Sequence, residues 1–310
     1  MSVNILFAAT EQRWQQYETP LRTALKEAGI SAKLSTNFPP ETVDYIVYAP
    51  NSPVQDFSPF IRCKAVLNLW AGVEGITANP SLNIPLTRMV DPALTQGMVE
   101  WVTGHTLRHH LNIDYFLARQ SGDWQPNVPP LASERPVTIL GMGELGTACA
   151  KALSAMGFPV SGWSRSIKTI KNIEIFHGVD GLDRALSTAQ ILILLLPRTA
   201  STENILNART LGKLPKGSVV INPGRGHLID DQALLDALDC GQISHATLDV
   251  FRKEPLSKDH PFWAHPFVTV TPHIASETRV TSASKMIVNN IQRAEAGEPL
   301  LHLVDRQRGY

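Results

Sequence analysis

The chain is short of the features that would mark it as secreted, membrane-bound or nucleic-acid-binding. Cysteine is scarce: Cys63, Cys149 and Cys240 are the only three in 310 residues, widely spaced and without a CxxC pair. That excludes a disulfide framework and a cysteine-based zinc cluster, and it fits buried thiols in a reducing compartment. An excess of either charge is missing too, since 28 Lys+Arg balance 28 Asp+Glu. No basic face is therefore expected for nucleic acid or an anionic membrane surface. Long apolar runs are lacking near the N-terminus. The longest there, residues 3–9, is strand-sized and has no basic flank, so neither a signal peptide nor a spanning helix is expected. Short-period repeats and low-complexity tracts are absent as well. A soluble, cytoplasmic chain is the expectation, long enough for two domains that each bury a core.

Strand-like and helix-like segments alternate throughout. VNILFAA (3–9), SAKLS (31–35), DYIVYA (44–49), AVLNLW (65–70) and LTRMV (86–90) read as strands of a first set, with a helix over 12–28. An amphipathic stretch from 93 to about 119 reads as one or two long helices. The proline-rich run 123–136 reads as an extended arm or linker. Beyond it come VTILG, PVSGW, QILILLLP, SVVIN, HATLDV and VTVTP, with helices between most of them. Near-continuously apolar strands in a βαβ pattern imply an α/β fold with parallel sheets covered on both faces.

The first of these later strands runs into Gly141-Met142-Gly143-Glu144-Leu145-Gly146, followed by a helix-forming stretch. Strand, GxGxxG, helix is the phosphate turn of a dinucleotide fold. The first glycine allows the tight turn, the second admits a pyrophosphate close to the backbone, and the third lets helix and strand pack. The helix N-terminus then offers N–H donors and a positive dipole end. A site for NAD places Asp or Glu about 20 residues on. Here the second strand ends in Ser164-Arg165-Ser166, with Lys168 nearby and no carboxylate. Hydroxyls and a guanidinium suit a 2′-phosphate that an acid would repel, so the expected cofactor is NADPH. Leu196 and Pro197, at the end of the following apolar strand, join the expected cofactor residues. Thr199, Ser201 and Thr202 either contact adenosine phosphates or start the next helix at Thr202.

Three further segments put polar residues immediately after apolar strands, where open parallel sheets bind ligands. Asn222-Pro223-Gly224-Arg225-Gly226 follows SVVIN; Asp249 ends HATLDV with Glu254 in the next loop; His273 follows VTVTP. Arg grips a carboxylate through two bonds, His moves a proton near neutral pH, and Glu orients that His. Other histidines are set aside. His105 and His109 are four apart on a helix with His110 adjoining, but no third or fourth metal ligand is evident, so a partly exposed helix face is expected and no metal. His245, His260 and His265 show no second-site pattern, and His227 either approaches the cofactor or lines a loop.

These motifs, GMGELG, INPGRGHLID, LDVFRKEPL and TPHIAS, resemble the D-isomer-specific 2-hydroxyacid dehydrogenase family in order and spacing, over essentially the whole chain. The runs WSRS, HTLRHH…DY, DWQP and VDRQRGY are similar to a bacterial branch that reduces glyoxylate and hydroxypyruvate. The resemblance implies two doubly wound parallel-sheet domains. A discontinuous flavodoxin-like substrate domain would comprise 1–100 and 274–310, and a Rossmann cofactor domain 101–273, with the active site in the cleft. It makes Arg225, Glu254 and His273 the catalytic three and turns Asp249 toward the nicotinamide carboxamide. Pro223, Gly224 and His273 also border the cofactor. Trp70-Ala71-Gly72-Val73 would be the substrate-carboxylate loop, with backbone N–H groups as donors. The family's Gly-Val-Asp is Gly72-Val73-Glu74 here, which leaves that role intact but changes the loop's packing. Trp70, Met98 and Trp101 are candidate walls of a small pocket, and both tryptophans also suit plain core. A small 2-oxo acid and a second copy of the chain, in a homodimer, are the implied partners. Phosphoglycerate and formate dehydrogenases of the same family, and a nucleotide-sensing binding protein, are the competing readings. The first often carries an added regulatory domain, for which little chain follows His273; the second uses NAD, against which Ser164-Arg165 argues.

Overall fold

The computed structural model describes residues 2–122 and 124–306. Asp123 of the proline-rich arm and the last four residues of VDRQRGY lie outside the described residues. In chain order the elements begin with β1 Val3–Ala8, α1 Glu11–Glu27, β2 Ala32–Ser35, β3 Tyr45–Tyr48, β4 Ala65–Asn68, α2 Glu74–Thr77 and β5 Leu86–Thr87. Two helices follow, α3 Pro92–His110 and α4 Ile113–Leu117. Then come β6 Val137–Leu140, α5 Glu144–Ala155, β7 Val160–Ser164, β8 Glu174–His177, α6 Gly178–Ser187 and β9 Ile191–Leu194. The chain ends with α7 Ala208–Leu211, β10 Ser218–Asn222, α8 Asp231–Asp239, β11 Ile243–Leu248, β12 Val268–Val270 and α9 Val280–Glu295.

The chain divides into two compact units, residues 1–94 with 277–310, and residues 95–276. In the first unit five parallel strands lie in the order β2-β1-β3-β4-β5. This is the flavodoxin-like order. Both faces are covered, which is why Tyr45–Tyr48 is buried at every position. Ile5, Phe7, Val47 and Leu67 pack with Tyr17, Leu21 and Leu25 of α1 and Ile287 and Ile291 of α9. Leu6, Ile46, Tyr48 and Val66 pack on the other side with Phe57, Phe60 and Leu82. α1 starts where Thr10 accepts a bond from the Arg13 N–H at 3.4 Å, satisfying one orphan donor of the first turn.

The second unit holds seven parallel strands in the order β12-β11-β10-β9-β6-β7-β8. Its direction of growth reverses between β6 and β9, the switch point at which such sheets bind ligands. Ile139, Ile193 and Ile221 pack with Cys149, Ala150 and Leu153 of α5 and Met98 and Val102 of α3. Leu140, Leu192, Val220 and Leu248 pack with Leu182 and Leu186 of α6 and Leu234 and Leu238 of α8. Among the described residues no helix is long and apolar enough to cross a membrane.

Several sequence expectations are corrected. β8 is an edge strand with exposed and half-buried positions only, so it lacks the apolar run that reveals the others. The 93–119 stretch is one long helix and a short one, parted at Asn112 with φ 54°, a left-handed conformation that Asn tolerates. LTRMV is a strand only at its first two residues. No helix starts at Thr202; α7 begins at Ala208, capped by Asn207. Met98 belongs to the core, whereas Trp70 is 39 % exposed and is not core. Of the three thiols only Cys149 is fully buried, and Cys240 is exposed. His109 and His110 are buried, so neither lies on a solvated face of the helix.

Candidate active site

The expected site residues of the second unit all follow the carboxyl ends of its parallel strands, and so share one edge of the sheet. Gly141–Gly146 follows β6, Ser164–Lys168 closes β7, Leu196 and Pro197 follow β9, Arg225 follows β10, Asp249 and Glu254 follow β11, and His273 follows β12.

At the glycine turn, the space is what the motif requires. A Cβ on Gly141, which has φ 108°, would stand 2.4 Å from the Leu195 carbonyl oxygen, and one on Gly146 would stand 1.9 Å from that of Gly141. Neither position admits any other residue. A Cβ on Gly143 would meet nothing within 4 Å, so the outer side of the turn is open where a pyrophosphate would approach. Gly143 is also the N-cap of α5, which directs the unpaired N–H groups of the first turn outward. Buried Met142 fills the space above Gly162, where a Cβ would come within 2.4 Å of its sulfur. The residues present therefore fit a dinucleotide.

The loop after β7 is shaped from within. Buried Ser164 donates its hydroxyl to the Ser166 carbonyl at 2.6 Å, and Lys168 Nζ donates to the Met142 carbonyl at 2.6 Å. Ser164 thus sets the loop rather than facing outward, while Arg165 and Ser166 are exposed. Thr202 has a similar inward role: its hydroxyl donates to the Pro197 carbonyl at 2.7 Å and accepts from the Thr199 N–H at 2.8 Å.

Arg225 sits between two glycines that are needed for packing. A Cβ on Gly224 would stand 2.7 Å from the Leu194 oxygen, and one on Gly226 2.0 Å from the Phe251 carbonyl carbon. Asn222 ties the turn together, accepting from the Gly224 N–H at 3.1 Å and donating to the Arg225 carbonyl at 3.0 Å. The half-buried Arg225 side chain donates to the Gly224 carbonyl at 2.7 Å.

His273 and Glu254 meet directly, with Nδ1 2.7 Å from Oε2. The other carboxylate oxygen accepts from the Phe251 N–H at 2.9 Å, so Glu254 is held by its own loop. His273 has φ 56°, a region that non-glycine residues rarely occupy and that persists only where the surroundings impose it. Asp249 imposes it. This carboxylate is 0 % exposed and accepts from the Thr271 hydroxyl at 2.6 Å and from the Ile274 and Ala275 N–H groups at 2.9 Å each. The Asp249 carbonyl takes the His273 N–H at 2.8 Å. Three of the roughly four acceptor positions of a carboxylate go to the His273 turn. Asp249 thus has a positioning role toward the His273 turn.

The structure thus brings Glu254 and His273 into contact and sets Arg225 on the loop after β10, along the same edge of the sheet. It does not bring Ser164 or Thr202 out to a ligand. The anchoring by Asp249 and Thr271 escaped the sequence reading, although Asn222 before Pro-Gly is a legible side-chain turn signal. In the first unit, Trp70, Ala71, Gly72 and Val73 form the turn between β4 and α2. The Asn68 side chain donates to the carbonyls of Trp70 at 2.9 Å and Gly72 at 3.1 Å, and Val73 is buried. Among the described residues no acceptor takes the N–H of Ala71, Gly72 or Val73, as an anion-binding turn requires.

Residues 103–275 match the NAD binding domain of the D-isomer specific 2-hydroxyacid dehydrogenases. Glyoxylate/hydroxypyruvate reductase A of Yersinia enterocolitica is 36 % identical over 99 % of this chain and 100 % of its own. The protein of that name from Klebsiella pneumoniae is 40 % identical over 80 % of this chain and 82 % of its own. Among solved structures, a D-isomer specific 2-hydroxyacid dehydrogenase from Xanthobacter autotrophicus in complex with NADPH superposes with a TM-score of 0.93 at 38 % identity, covering all of both chains. An NADPH-dependent glyoxylate/hydroxypyruvate reductase from Sinorhizobium meliloti in complex with NADP gives 0.85 at 34 % identity, covering 100 % of this chain and 99 % of the other. With whole-length similarity in sequence and structure and the family's motifs gathered on one sheet edge, this chain belongs to the D-isomer specific 2-hydroxyacid dehydrogenases.

Proposed function

We propose that the protein reduces small 2-oxo acids with NADPH, glyoxylate to glycolate and hydroxypyruvate to D-glycerate. The observation that carries the reading is the Glu254–His273 pair, 2.7 Å apart at the carboxyl edge of the sheet that also bears Arg225 and the glycine turn. The names of the whole-length relatives point the same way. When bound, NADPH supplies the hydride for the carbonyl carbon. Its pyrophosphate would rest on the first turn of α5 and its 2′-phosphate on the loop of Arg165, Ser166 and Lys168.

The chain's own residues do the rest. Arg225 pairs with the substrate carboxylate and polarises the carbonyl oxygen as charge develops there. Glu254 accepts the Nδ1 proton of His273 and so turns Nε2 toward the substrate as proton donor. That proton goes to the carbonyl oxygen, which becomes the hydroxyl of the product. Asp249 holds the His273 backbone in its strained conformation. The Trp70–Val73 turn takes a share of substrate binding through its N–H groups in the same reading, which makes residues 1–94 with 277–310 a substrate domain and 95–276 a cofactor domain.

Two further parts belong to the proposal. A homodimer is supported by the arm after α4, where Trp124, Val128 and Leu131 are 96 %, 86 % and 71 % exposed, a clustering that monomers rarely tolerate. A reducing, cytoplasmic setting is supported by three unpaired thiols. A monomer by light scattering would remove the first of these.

The test is kcat/KM for hydroxypyruvate with NADPH and with NADH. A preference for NADPH of tenfold or more, about 1.4 kcal/mol at the transition state, is expected. A preference for NADH would overturn the cofactor assignment and keep the dehydrogenase. No turnover of hydroxypyruvate or glyoxylate with either would overturn the reading.

A further inference from the structure

β11 and β12 of the second unit carry a polar patch. His245 and Thr247 lie on the same face of β11, and Thr269 pairs with Thr247 from β12. Against this patch the end of α3 places His109, 7 % exposed, and α4 places Asp114. One ligand atom each from His109, Asp114 and His245 lies within 4.8 Å of the other two. The two imidazole rings stand 4.8 Å apart at 46°.

Each of the three side chains already has a hydrogen-bond partner. His109 Nε2 is 2.8 Å from the Thr247 hydroxyl and His245 Nε2 is 2.9 Å from that of Thr269. Where these hydroxyls accept, Nδ1 of both rings carries a lone pair. A hydrogen-bond partner on the far nitrogen is how metal-binding imidazoles are fixed. Arg108 Nε bonds Asp114 Oδ1 at 2.9 Å, which leaves Oδ2.

We propose that His109, His245 and Asp114 form a site for a zinc-class divalent cation, with water as the fourth ligand. Two imidazoles and a carboxylate around one open position are a recurrent set for that ion. Ligands at 2.0–2.1 Å around a tetrahedral ion stand roughly 3.4 Å apart, so the three, all within 4.8 Å of one another, draw together by up to about 1.4 Å on binding. The Asp114 side chain, 38 % exposed, has the freedom to do so. His245 precedes Asp249 by four residues, about 13 Å of strand, which separates this site from the Glu254–His273 pair. The ion would tie the α3–α4 corner to β11 and stabilise the folded chain by binding it alone. The spacing of His105 and His109 did not reveal the site, because its other ligands come from a neighbouring helix and a distant strand.

The test is calorimetric titration of zinc chloride into the full chain after chelator treatment and dialysis, with melting followed in parallel. One zinc per chain with micromolar or tighter affinity is expected, with a melting temperature that rises on binding. His245→Gln keeps a group able to bond Thr269 and should weaken binding at least 100-fold and abolish the thermal shift. Asp114→Asn, at a half-exposed position that does not threaten folding, should weaken binding at least tenfold. His273→Asn should leave the affinity unchanged. Absence of binding, binding unaffected by Asp114→Asn, or binding lost in His273→Asn would each overturn the proposal. None of these outcomes bears on the proposed reductase activity.

Discussion

Glu254 holds His273 by one ring nitrogen, with Oε2 2.7 Å from Nδ1. The imidazole is therefore set by two acids at different depths. Glu254 fixes the ring, and fully buried Asp249 fixes the backbone that carries it.

Removing the proton donor should separate chemistry from binding. His273→Asn is expected to lower kcat for hydroxypyruvate by about 10²–10⁴-fold, with NADPH affinity by fluorescence titration within about twofold of the parent. Glu254→Gln retains a hydrogen-bonding group but removes the carboxylate, and a loss on the order of tenfold or more in kcat is expected. A His273→Asn protein with near-parental turnover would remove His273 from the mechanism.

Asp249 should show itself in stability as well as in rate. Its fully buried carboxylate receives a hydroxyl and two backbone N–H groups. Asp249→Asn turns an amide N–H₂ toward at least one donor, at a cost on the order of 2–4 kcal/mol. The midpoint of urea unfolding should fall, and kcat should fall with it as the His273 turn relaxes. An unchanged midpoint would mean that the turn holds itself.

The order of strands and the residues at their carboxyl ends were legible because parallel strands covered on both faces must be apolar throughout. SVVIN and QILILLLP mark themselves in this way, and so place Arg225 and Pro197. The glycine turn was legible because Gly141 and Gly146 answer a specific lack of space and Gly143 leaves the outer side open. The edge strand β8, half solvated, carries no such signature. The inward hydroxyls of Ser164 and Thr202 were illegible because a Ser or Thr beside a ligand site looks the same whether it faces the ligand or its own loop. The His109–His245 neighbourhood was illegible because it depends on which helix covers β11, a long-range fact that no local period encodes.

Cofactor choice should follow charge at the end of β7. Arg165→Glu places a carboxylate on the exposed part of this loop, where a 2′-phosphate would be repelled and a ribose 2′-hydroxyl bound. The ratio of kcat/KM for NADPH over NADH should fall at least tenfold. Arg165→Ala should raise KM for NADPH by a similar factor and leave KM for NADH nearly unchanged. Equal effects of Arg165→Ala on both cofactors would move the 2′-phosphate contact away from this loop.

The three thiols should differ in reactivity by their surroundings alone. Burial pushes Cys149 up to about 12 and Cys63 up to about 12, which leaves almost no thiolate at pH 8, and the thiolate is the reactive form. Cys240 lies exposed immediately after α8. A disulfide reagent added to the native protein at pH 8 should therefore titrate one thiol quickly, and Cys240→Ser should abolish that phase. In urea all three should react. Cys149 packs against the strand that leads into the glycine turn, in one cluster with Ile139 and Leu153. Its modification at the rate of Cys240 would mean that the core beneath the phosphate site opens without global unfolding.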